Sequence, residues 1–223
     1  MRRVFATLSL ITLLQSLPAA AYAQAIPSTQ GPTDPIEQVV AARLMTPYQD
    51  GNFHPERFIS RAELASILVK TFQLDKRVAA SRESLVQVPD VPTNHWAYND
   101  IQTVLKTGIM RGYRGNLFFP NQNINRAEAF SIIAQAYGVF QFPDQTVRTI
   151  LARYPDASQI PGWAQKSMAT ALYVGLVNTD ERGNIVPANP MTRGDMAYAL
   201  SQYLNIPEQG PTTAWEEDSH QEQ

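Results

Sequence analysis

The sequence predicts an all-α protein built from three helix–loop–helix repeats that pack together as one body. In three places a proline precedes an arginine by six residues: Pro55 and Arg61, Pro120 and Arg126, Pro187 and Arg193. The arginines are 65 and 67 residues apart, and Trp96 and Trp163 are also 67 apart. A self-similar period of this kind indicates a repeat architecture. A copy of about 50 residues buries little core alone, so the three copies are expected to share one.

The N-terminus has the pattern of an export signal. Arg2 and Arg3 precede an apolar stretch, and Ala21-Tyr22-Ala23 has the small-x-small pattern of a cleavage site, which predicts a signal peptide over residues 1–23. The apolar stretch is shorter than the about 20 residues that a membrane-spanning helix needs. We therefore expect an exported protein, located in the periplasm or at the cell-wall surface, without a transmembrane segment. Residues 24–34, rich in Pro, Ser, Thr and Gln, are expected to be a flexible leader.

Each repeat is predicted to contain a first helix, a turn, the proline and a second helix. Apolar residues with helical spacing place the repeats at 35–75, 88–139 and 154–204, the first of them truncated at its N-terminal side. The connecting segments leave room for further short helices. Beyond the third repeat, residues 205–223 contain Pro, Gly and an acidic run, and we expect a disordered acidic tail.

The composition excludes several classes of function. The chain is 44% hydrophobic and 17% charged, and its formal net charge of −2 gives no electrostatic footprint for nucleic acid. It has no cysteine, three scattered histidines and no recognisable nucleophile or phosphate-binding motif. We therefore expect a non-catalytic protein with no cofactor and no metal.

The second helix of each repeat begins with a pattern typical of a capping box. A Ser, Asn or Thr is followed three residues later by an acid: Ser60 and Glu63, Asn125 and Glu128, Thr192 and Asp195. In such a box the first side chain accepts a hydrogen bond from an amide of the first turn, and the acid binds the amide of the cap residue. These six residues are thus predicted to have a helix-capping role.

The three arginines occupy the first position of these helices, where the helix dipole disfavours a cation. Three cations at a mildly unfavourable place indicate that an anion belongs nearby. The anion is either a bound ligand or an acid of a neighbouring repeat, such as Asp90 or Asp156, and side-chain chemistry alone leaves both open.

Trp96 and Trp163 lie at the start of the first helix of their repeats. A tryptophan there is either a core anchor or a flat face on which a sugar ring can stack. From position alone, core packing is the favoured interpretation.

The combined pattern resembles the S-layer homology repeat. The pattern consists of Asp-Val, His-Trp-Ala, Gly-Ile, Gly-Tyr, a Gly-Asn turn, Phe-x-Pro and Arg-Ala-Glu. Residues 88–139 match it nearly end to end, residues 35–74 match from the first helix onward, and residues 154–204 match more loosely. The resemblance implies pseudo-threefold symmetry. It also implies non-covalent tethering to peptidoglycan-linked polysaccharides that often carry pyruvate ketals.

The resemblance also implies which residues contact the glycan. Arg61, Arg126 and Arg193 become candidate ligands of an anionic sugar in grooves between repeats. Trp96 and Trp163 would line or support these grooves, and Asp90 and Asp156 would accept hydrogen bonds from sugar hydroxyls or from the backbone of their own repeat.

The third repeat departs from the pattern at residues 178–180 and 194–195. Fewer than three competent grooves are therefore expected, the best of them involving Arg61 and Arg126.

Two functions follow from these expectations. The first is an envelope module whose partner is an anionic polysaccharide linked to peptidoglycan. The alternative is a scaffold that keeps the same repeat fold and binds an envelope protein instead.

Overall fold

The computed structural model describes residues 34–79 and 85–207, and within these ranges it contains eight α-helices and no β-strand. The all-α prediction is therefore confirmed. The predicted signal peptide, nearly all of the leader and the tail from residue 208 lie outside the described residues. None of the helices in the described ranges is long and apolar enough to span a membrane.

The helices follow the predicted repeats, with two additional helices in the connecting segments. In chain order they are α1 (Pro35–Ala41), α2 (Arg61–Phe72), α3 (Leu74–Ala79), α4 (Tyr98–Lys106), α5 (Arg126–Tyr137), α6 (Asp144–Leu151), α7 (Gln165–Tyr173) and α8 (Arg193–Asn205). The first and second helices are α1 and α2 in repeat 1, α4 and α5 in repeat 2, and α7 and α8 in repeat 3. Helices α3 and α6 connect the repeats.

Helices α2, α5 and α8 form the centre of the molecule. Each contributes fully buried apolar side chains one turn apart: Leu64 and Leu68, Phe130 and Ile133, Met196 and Leu200. These helices are apolar on most of their circumference, which is typical of helices buried between other helices. Their first turns, which carry the three arginines, are therefore fixed by the shared core.

The first helix of each repeat packs on the second helix of the preceding repeat. Helix α4 packs on α2, α7 packs on α5, and α1 packs on α8. The last pairing joins the beginning of the described chain to its end, so the three repeats form a closed ring and not an open stack. The three-repeat arrangement expected from the sequence is thereby confirmed.

A cycle of three backbone hydrogen bonds lies where the repeats meet. The amide of Ile124 donates to the carbonyl of Ile59 at 3.2 Å, Met191 donates to Ile124 at 2.8 Å, and Ile59 donates to Met191 at 2.9 Å. All three side chains are buried. Each repeat therefore gives one bond to a neighbour and receives one, and the ring has no free edge at this level.

The loops before the central helices also satisfy the amides at the helix starts. Arg61 N–H donates to Gln122, Arg126 N–H to Asn189 and Arg193 N–H to Arg57, at 2.8 to 2.9 Å. The following residues, Ala62, Ala127 and Gly194, donate to Pro120, Pro187 and Pro55 in the same way. Because the first amides of a helix have no partner within the helix, carbonyls of the next repeat complete them.

Candidate binding grooves between repeats

Arg61 extends from α2 into the loop of repeat 2. Its Nε donates to the carbonyl of Phe118 and its Nη2 to the carbonyl of Arg111, both at 2.8 Å. Its Nη1 lies 2.8 Å from Glu128 Oε1 and 3.4 Å from the hydroxyl of Tyr113. The side chain is almost fully buried, yet its charge is balanced by the carboxylate of the next repeat.

Arg126 repeats this arrangement in the loop of repeat 3. Its Nε donates to the carbonyl of Ile185 at 2.8 Å, and its Nη groups donate to the carbonyl and side-chain oxygens of Asn178. Nη1 also lies 2.7 Å from Asp195 Oδ1.

The environment of Asp195 favours its ionised form. Burial alone would raise the pKa of this carboxyl, but hydrogen bonds from Asn178 and from the Thr192 amide, together with the charge of Arg126, hold the pKa below its usual value. Arg126 and Asp195 are therefore a buried, hydrogen-bonded ion pair.

Arg193 closes the ring by entering the loop of repeat 1, but it lacks the carboxylate. Its Nε donates to Phe53 at 2.9 Å and its Nη2 to Thr46 at 2.7 Å. Its guanidinium carbon lies over the rings of Tyr48 and Phe53, 4.6 and 4.5 Å from their centres. Among the described residues it forms no ion pair, although 94% of its surface is buried.

The carboxylate of Glu63 makes a different set of contacts. Glu63 occupies the position of Glu128 and Asp195, but its Oε2 accepts hydrogen bonds from the amide and the hydroxyl of Ser60, at 2.8 and 2.9 Å. Ser60 accepts in turn from the Glu63 amide, which completes a capping box. Its carboxylate is thus held at its own helix start.

The other two caps differ from each other. Thr192 and Asp195 form a complete box. At α5, Asn125 accepts from the Glu128 amide at 2.8 Å, but the Glu128 carboxylate pairs with Arg61. The reciprocal capping role expected for Glu128 is therefore wrong, because the arginine of the preceding repeat competes for its carboxylate.

Two of the three arginines thus pair with an acid of the next repeat, but not with Asp90 or Asp156. Asp90 accepts from the amides of Phe118 and Phe119 at 2.9 and 2.6 Å. Asp156 accepts from the amides of Ile185 and Val186 at 2.9 and 2.7 Å. Both aspartates hold the turn that supplies the carbonyl for an arginine. They therefore serve the backbone of their own repeats, one of the two roles expected for them.

Trp96 and Trp163 are not core anchors. Each leaves 64% of its surface exposed, so the favoured core interpretation is wrong. In repeats 2 and 3 the alanine that follows the tryptophan, Ala97 or Ala164, is fully buried instead. The backbone at the start of the helix turns the small residue inward and the indole outward.

Each indole lines a groove together with an arginine from another repeat. The Arg61 groove, of about 470 Å³, is lined by Arg61 of repeat 1, Arg111, Tyr113 and Glu128 of repeat 2 and Trp163 of repeat 3. The Arg193 groove, of about 210 Å³, is lined by Arg193 of repeat 3, Tyr48, Glu63, Ser66 and Lys70 of repeat 1 and Trp96 of repeat 2. All three repeats thus contribute to each groove.

The expectation that Arg61 and Arg126 make the best grooves stays a prediction. The exposed tryptophans lie with Arg61 and Arg193. The position in repeat 1 that corresponds to Trp96 falls at Gly31, outside the described residues. The first two amides of each central helix donate to carbonyls of another repeat, so these amides are not available to a ligand.

The sequence did not single out several of the lining residues, among them Tyr48, Tyr113 and Lys70. Tyr48 and Tyr113 could have been found, because both follow the first helix at the same point of the repeat. Lys70 had no such signal, because it lies on the exposed side of α2 with no counterpart cation in the other central helices. Within the described ranges no cluster of His, Asp and Glu is placed to hold a metal ion.

The fold and the grooves define a class: closed three-repeat helical modules with aromatic and cationic grooves between their repeats. The family model of the S-layer homology domain matches residues 27–65, 89–130 and 153–197, more than half of the chain. The chain therefore belongs to the S-layer homology domain family, as its motifs indicated.

Curated proteins of known name agree with this assignment. The chain is 29% identical over 172 residues to the surface-layer 125 kDa protein of Lysinibacillus sphaericus, covering 76% of this chain and 14% of that protein. It is 30% identical over 169 residues to cell surface glycoprotein 1 of Acetivibrio thermocellus, covering 74% and 7%. It is 27% identical over 158 residues to the cellulosome-anchoring protein of the same organism, covering 68% and 32%. The chain thus spans less than a third of each of these relatives.

Proposed function

We propose that this protein is a non-catalytic cell-envelope module that binds acidic polysaccharide attached to peptidoglycan. The observation that carries the proposal is the pair of grooves that are each lined by an exposed indole of one repeat and a buried arginine of another. The names of the relatives, a surface-layer protein and a cellulosome-anchoring protein, support a role in anchoring at the cell surface.

The chemistry of the grooves suits an acidic sugar. The flat face of an indole packs against the C–H groups of a sugar ring, and most of each indole is open to solvent. A guanidinium binds a carboxylate through parallel charge-assisted hydrogen bonds. A sugar with a carboxylate a few ångströms from the ring, such as a pyruvate ketal, meets both requirements at once.

The two grooves would contribute differently. In the Arg61 groove Glu128 already balances the buried cation, and the exposed Arg111 adds a second positive charge. In the Arg193 groove the buried cation forms no ion pair within the described part of the chain, and the groove is also lined by Lys70 and by Glu63, whose carboxylate binds Ser60. We propose that Arg193 makes the stronger contact with the acidic group, and that Arg61 and Arg126 mainly hold the repeats together.

The tryptophans give a direct test with a matched control. Purified protein is mixed with sacculi that keep their acidic substituents and is then sedimented. Trp96→Ala and Trp163→Ala each remove one stacking face and should weaken binding about 5- to 10-fold. Tyr173→Ala is the control, because Tyr173 is also 64% exposed but lines neither groove.

The same assay separates the acidic group from the rest of the polysaccharide. Chemical removal of pyruvate and other acidic substituents should abolish most of the sedimentation of the wild type, and Arg193→Gln should reproduce this loss. Binding that survives both changes would contradict the anionic mechanism. No sedimentation with sacculi, together with capture of a defined envelope protein, would favour the scaffold alternative.

A further inference from the structure

His54 makes two contacts that a neutral imidazole cannot make together. Its Nε2 lies 2.6 Å from Asp50 Oδ2, and its Nδ1 lies 3.1 Å from Glu56 Oε1. An ionised carboxylate only accepts hydrogen bonds, and a neutral imidazole has a single N–H to donate. Both contacts are favourable only when the ring is doubly protonated and positively charged.

We call His54 with its contacts to Asp50 and Glu56 the clamp. His54 lies at a position of the repeat where the backbone is strained. Phe119 and Val186 occupy the same position, just before the proline, and all three residues adopt left-handed backbone with φ of 52°, 54° and 47°. In repeats 2 and 3 this strained turn is held by the aspartates Asp90 and Asp156, which bind its amides.

Repeat 1 has no aspartate at the corresponding place: Asp90 and Asp156 stand 36 and 37 residues before Arg126 and Arg193, and 36 or 37 residues before Arg61 the sequence has Ala25 and Gln24. Asp34, directly before the first helix, caps that helix instead. Repeat 1 restrains this turn differently, because the side chain of the turn residue His54 makes the contacts itself. The imidazolium ties the turn to Asp50 on one side and to Glu56 on the other.

The loop that this clamp holds is the one that receives Arg193. Thr46 and Phe53 supply the two carbonyls, and Tyr48 supplies the ring over which the guanidinium lies. Tyr48 also contacts the His54 ring edge-on at 5.6 Å. The loop that surrounds the Arg193 guanidinium is therefore the same loop that the protonated His54 holds together.

We infer that His54 is a positioning residue of the Arg193 groove, and that this groove takes its acidic ligand only while the imidazolium holds the loop. The ligand part of this inference rests on the proposed function. The Arg61 groove has Phe119 at the corresponding position and lacks a titrating clamp, so its binding should not follow the protonation of a histidine.

The charged groups around His54 set the direction of the effect. Asp50 and Glu56 face it from its own loop, Arg57 lies over Tyr48 at 4.4 Å, and Arg193 of α8 lies over the same ring. The hydrogen bond to Asp50, followed by that to Glu56, raises the pKa of His54, and the same bond to His54 lowers the pKa of Asp50 to about 2. A raised histidine pKa means that the clamp is intact below about pH 6.5, the value of the unfolded chain, and opens as the pH rises through the folded value.

The first experiment uses the full chain without ligand. The imidazole signals of His54 are titrated by NMR, together with the amide signals of Thr46 and Phe53 and the Nε–H signal of Arg193. We expect His54 to titrate above its value in the urea-unfolded chain, with the other three signals following the same midpoint. Two results would overturn the inference whatever the protein binds. The first is a His54 pKa equal to that in the unfolded chain, and the second is loop signals that do not change when His54 is protonated.

The second experiment measures sedimentation with sacculi that keep their acidic substituents, below and above the His54 midpoint. Trp163→Ala leaves the Arg193 groove as the main site and should lose about 10-fold in binding across this range. Trp96→Ala leaves the Arg61 groove and should lose much less. His54→Gln, added to Trp163→Ala, should bind weakly and equally at both pH values.

Equal pH dependence in the two tryptophan variants would overturn the positioning role. Absence of sedimentation by the wild type at every pH would instead refute the proposed function. In that case the ligand-free titration alone decides whether His54 positions the loop around Arg193.

Discussion

Arg61 of the first repeat and Glu128 of the second form an ion pair at 2.8 Å, whereas the equivalent Arg193 and Glu63 do not pair. The same residue types at the same repeat positions therefore do different things. In one place the pair joins two repeats. In the other the acid caps its own helix, and the arginine remains the buried cation of a groove.

Removing the Arg61 side chain should destabilise the ring. Arg61→Ala leaves the carbonyls of Phe118 and Arg111 without donors and Glu128 without its counter-charge. Breaking a buried pair on one side costs about 3 to 5 kcal/mol, so we expect a loss of about 3 kcal/mol in the free energy of unfolding. Urea unfolding followed by circular dichroism measures it. Arg114→Ala, at an exposed position in the same loop, should change stability by less than about 0.5 kcal/mol.

The Asp195 carboxylate should contribute a pH-dependent part of the stability. Because the pKa of Asp195 is lower in the folded protein than in the unfolded chain, its contribution is fully present above about pH 4. The contribution disappears as the pH falls through the folded value. Asp195→Asn should therefore be less stable than wild type at pH 6, and the gap should narrow at pH 3. A gap that stays constant between these pH values would contradict the assigned ion pair with Arg126.

The turn in repeat 3 should depend on both oxygens of Asp156. In Asp156→Asn the new amide group faces the N–H of Ile185 or Val186 and cannot accept from it. Leaving one buried amide unsatisfied costs about 1 to 3 kcal/mol, which thermal or urea unfolding would detect. Asp144→Asn is the control in the neighbouring helix α6, since Asp144 is 73% exposed and makes only a 3.4 Å contact with Lys166. An equal effect of the two substitutions would argue against the role of Asp156.

Adding a side chain at Gly194 should destabilise the protein, because Gly194 packs closely against Pro55. A Cβ at residue 194 would lie 3.2 Å from the Cβ and the carbonyl oxygen of Pro55, closer than ordinary contact. Although alanine favours helices by up to about 1 kcal/mol over glycine, crowding of this kind typically costs about 1 to 3 kcal/mol. Gly194→Ala should thus lower the melting temperature. Gly162→Ala, which meets nothing within 4 Å, should leave it unchanged.

The sequence was sufficient for the repeats, for the helices of each repeat and for the two complete capping boxes at α2 and α8, because these depend on residues close together in the chain. The spacing of Arg61, Arg126 and Arg193 fixed the period, and the residues around them fixed where the central helices begin. The acid that pairs with each arginine could not be predicted in this way. Glu63 and Glu128 are equivalent in sequence, yet the first binds its own helix start and the second binds the neighbouring arginine, while Asp195 does both.

The tryptophans show a second limit. The large apolar area of an indole favours its burial. At these helix starts, however, the rotation of the helix about its axis decides whether the tryptophan or the alanine that follows it faces the core. In repeats 2 and 3 that rotation is set by the packing of α4 on α2 and of α7 on α5. These contacts join residues far apart in the chain, so a local pattern does not contain them.

The closure of the ring has a consequence for the order of folding. Arg193 Nε bonds to a carbonyl 140 residues earlier, and its Nη2 to one 147 residues earlier. Helical proteins usually fold fast because most of their contacts are local, and folding slows as contacts span more of the chain. Here the start of α8 completes the loop of repeat 1. During synthesis, which starts at the N-terminus, the loop of the first repeat therefore cannot form all of its contacts until the third repeat has been made.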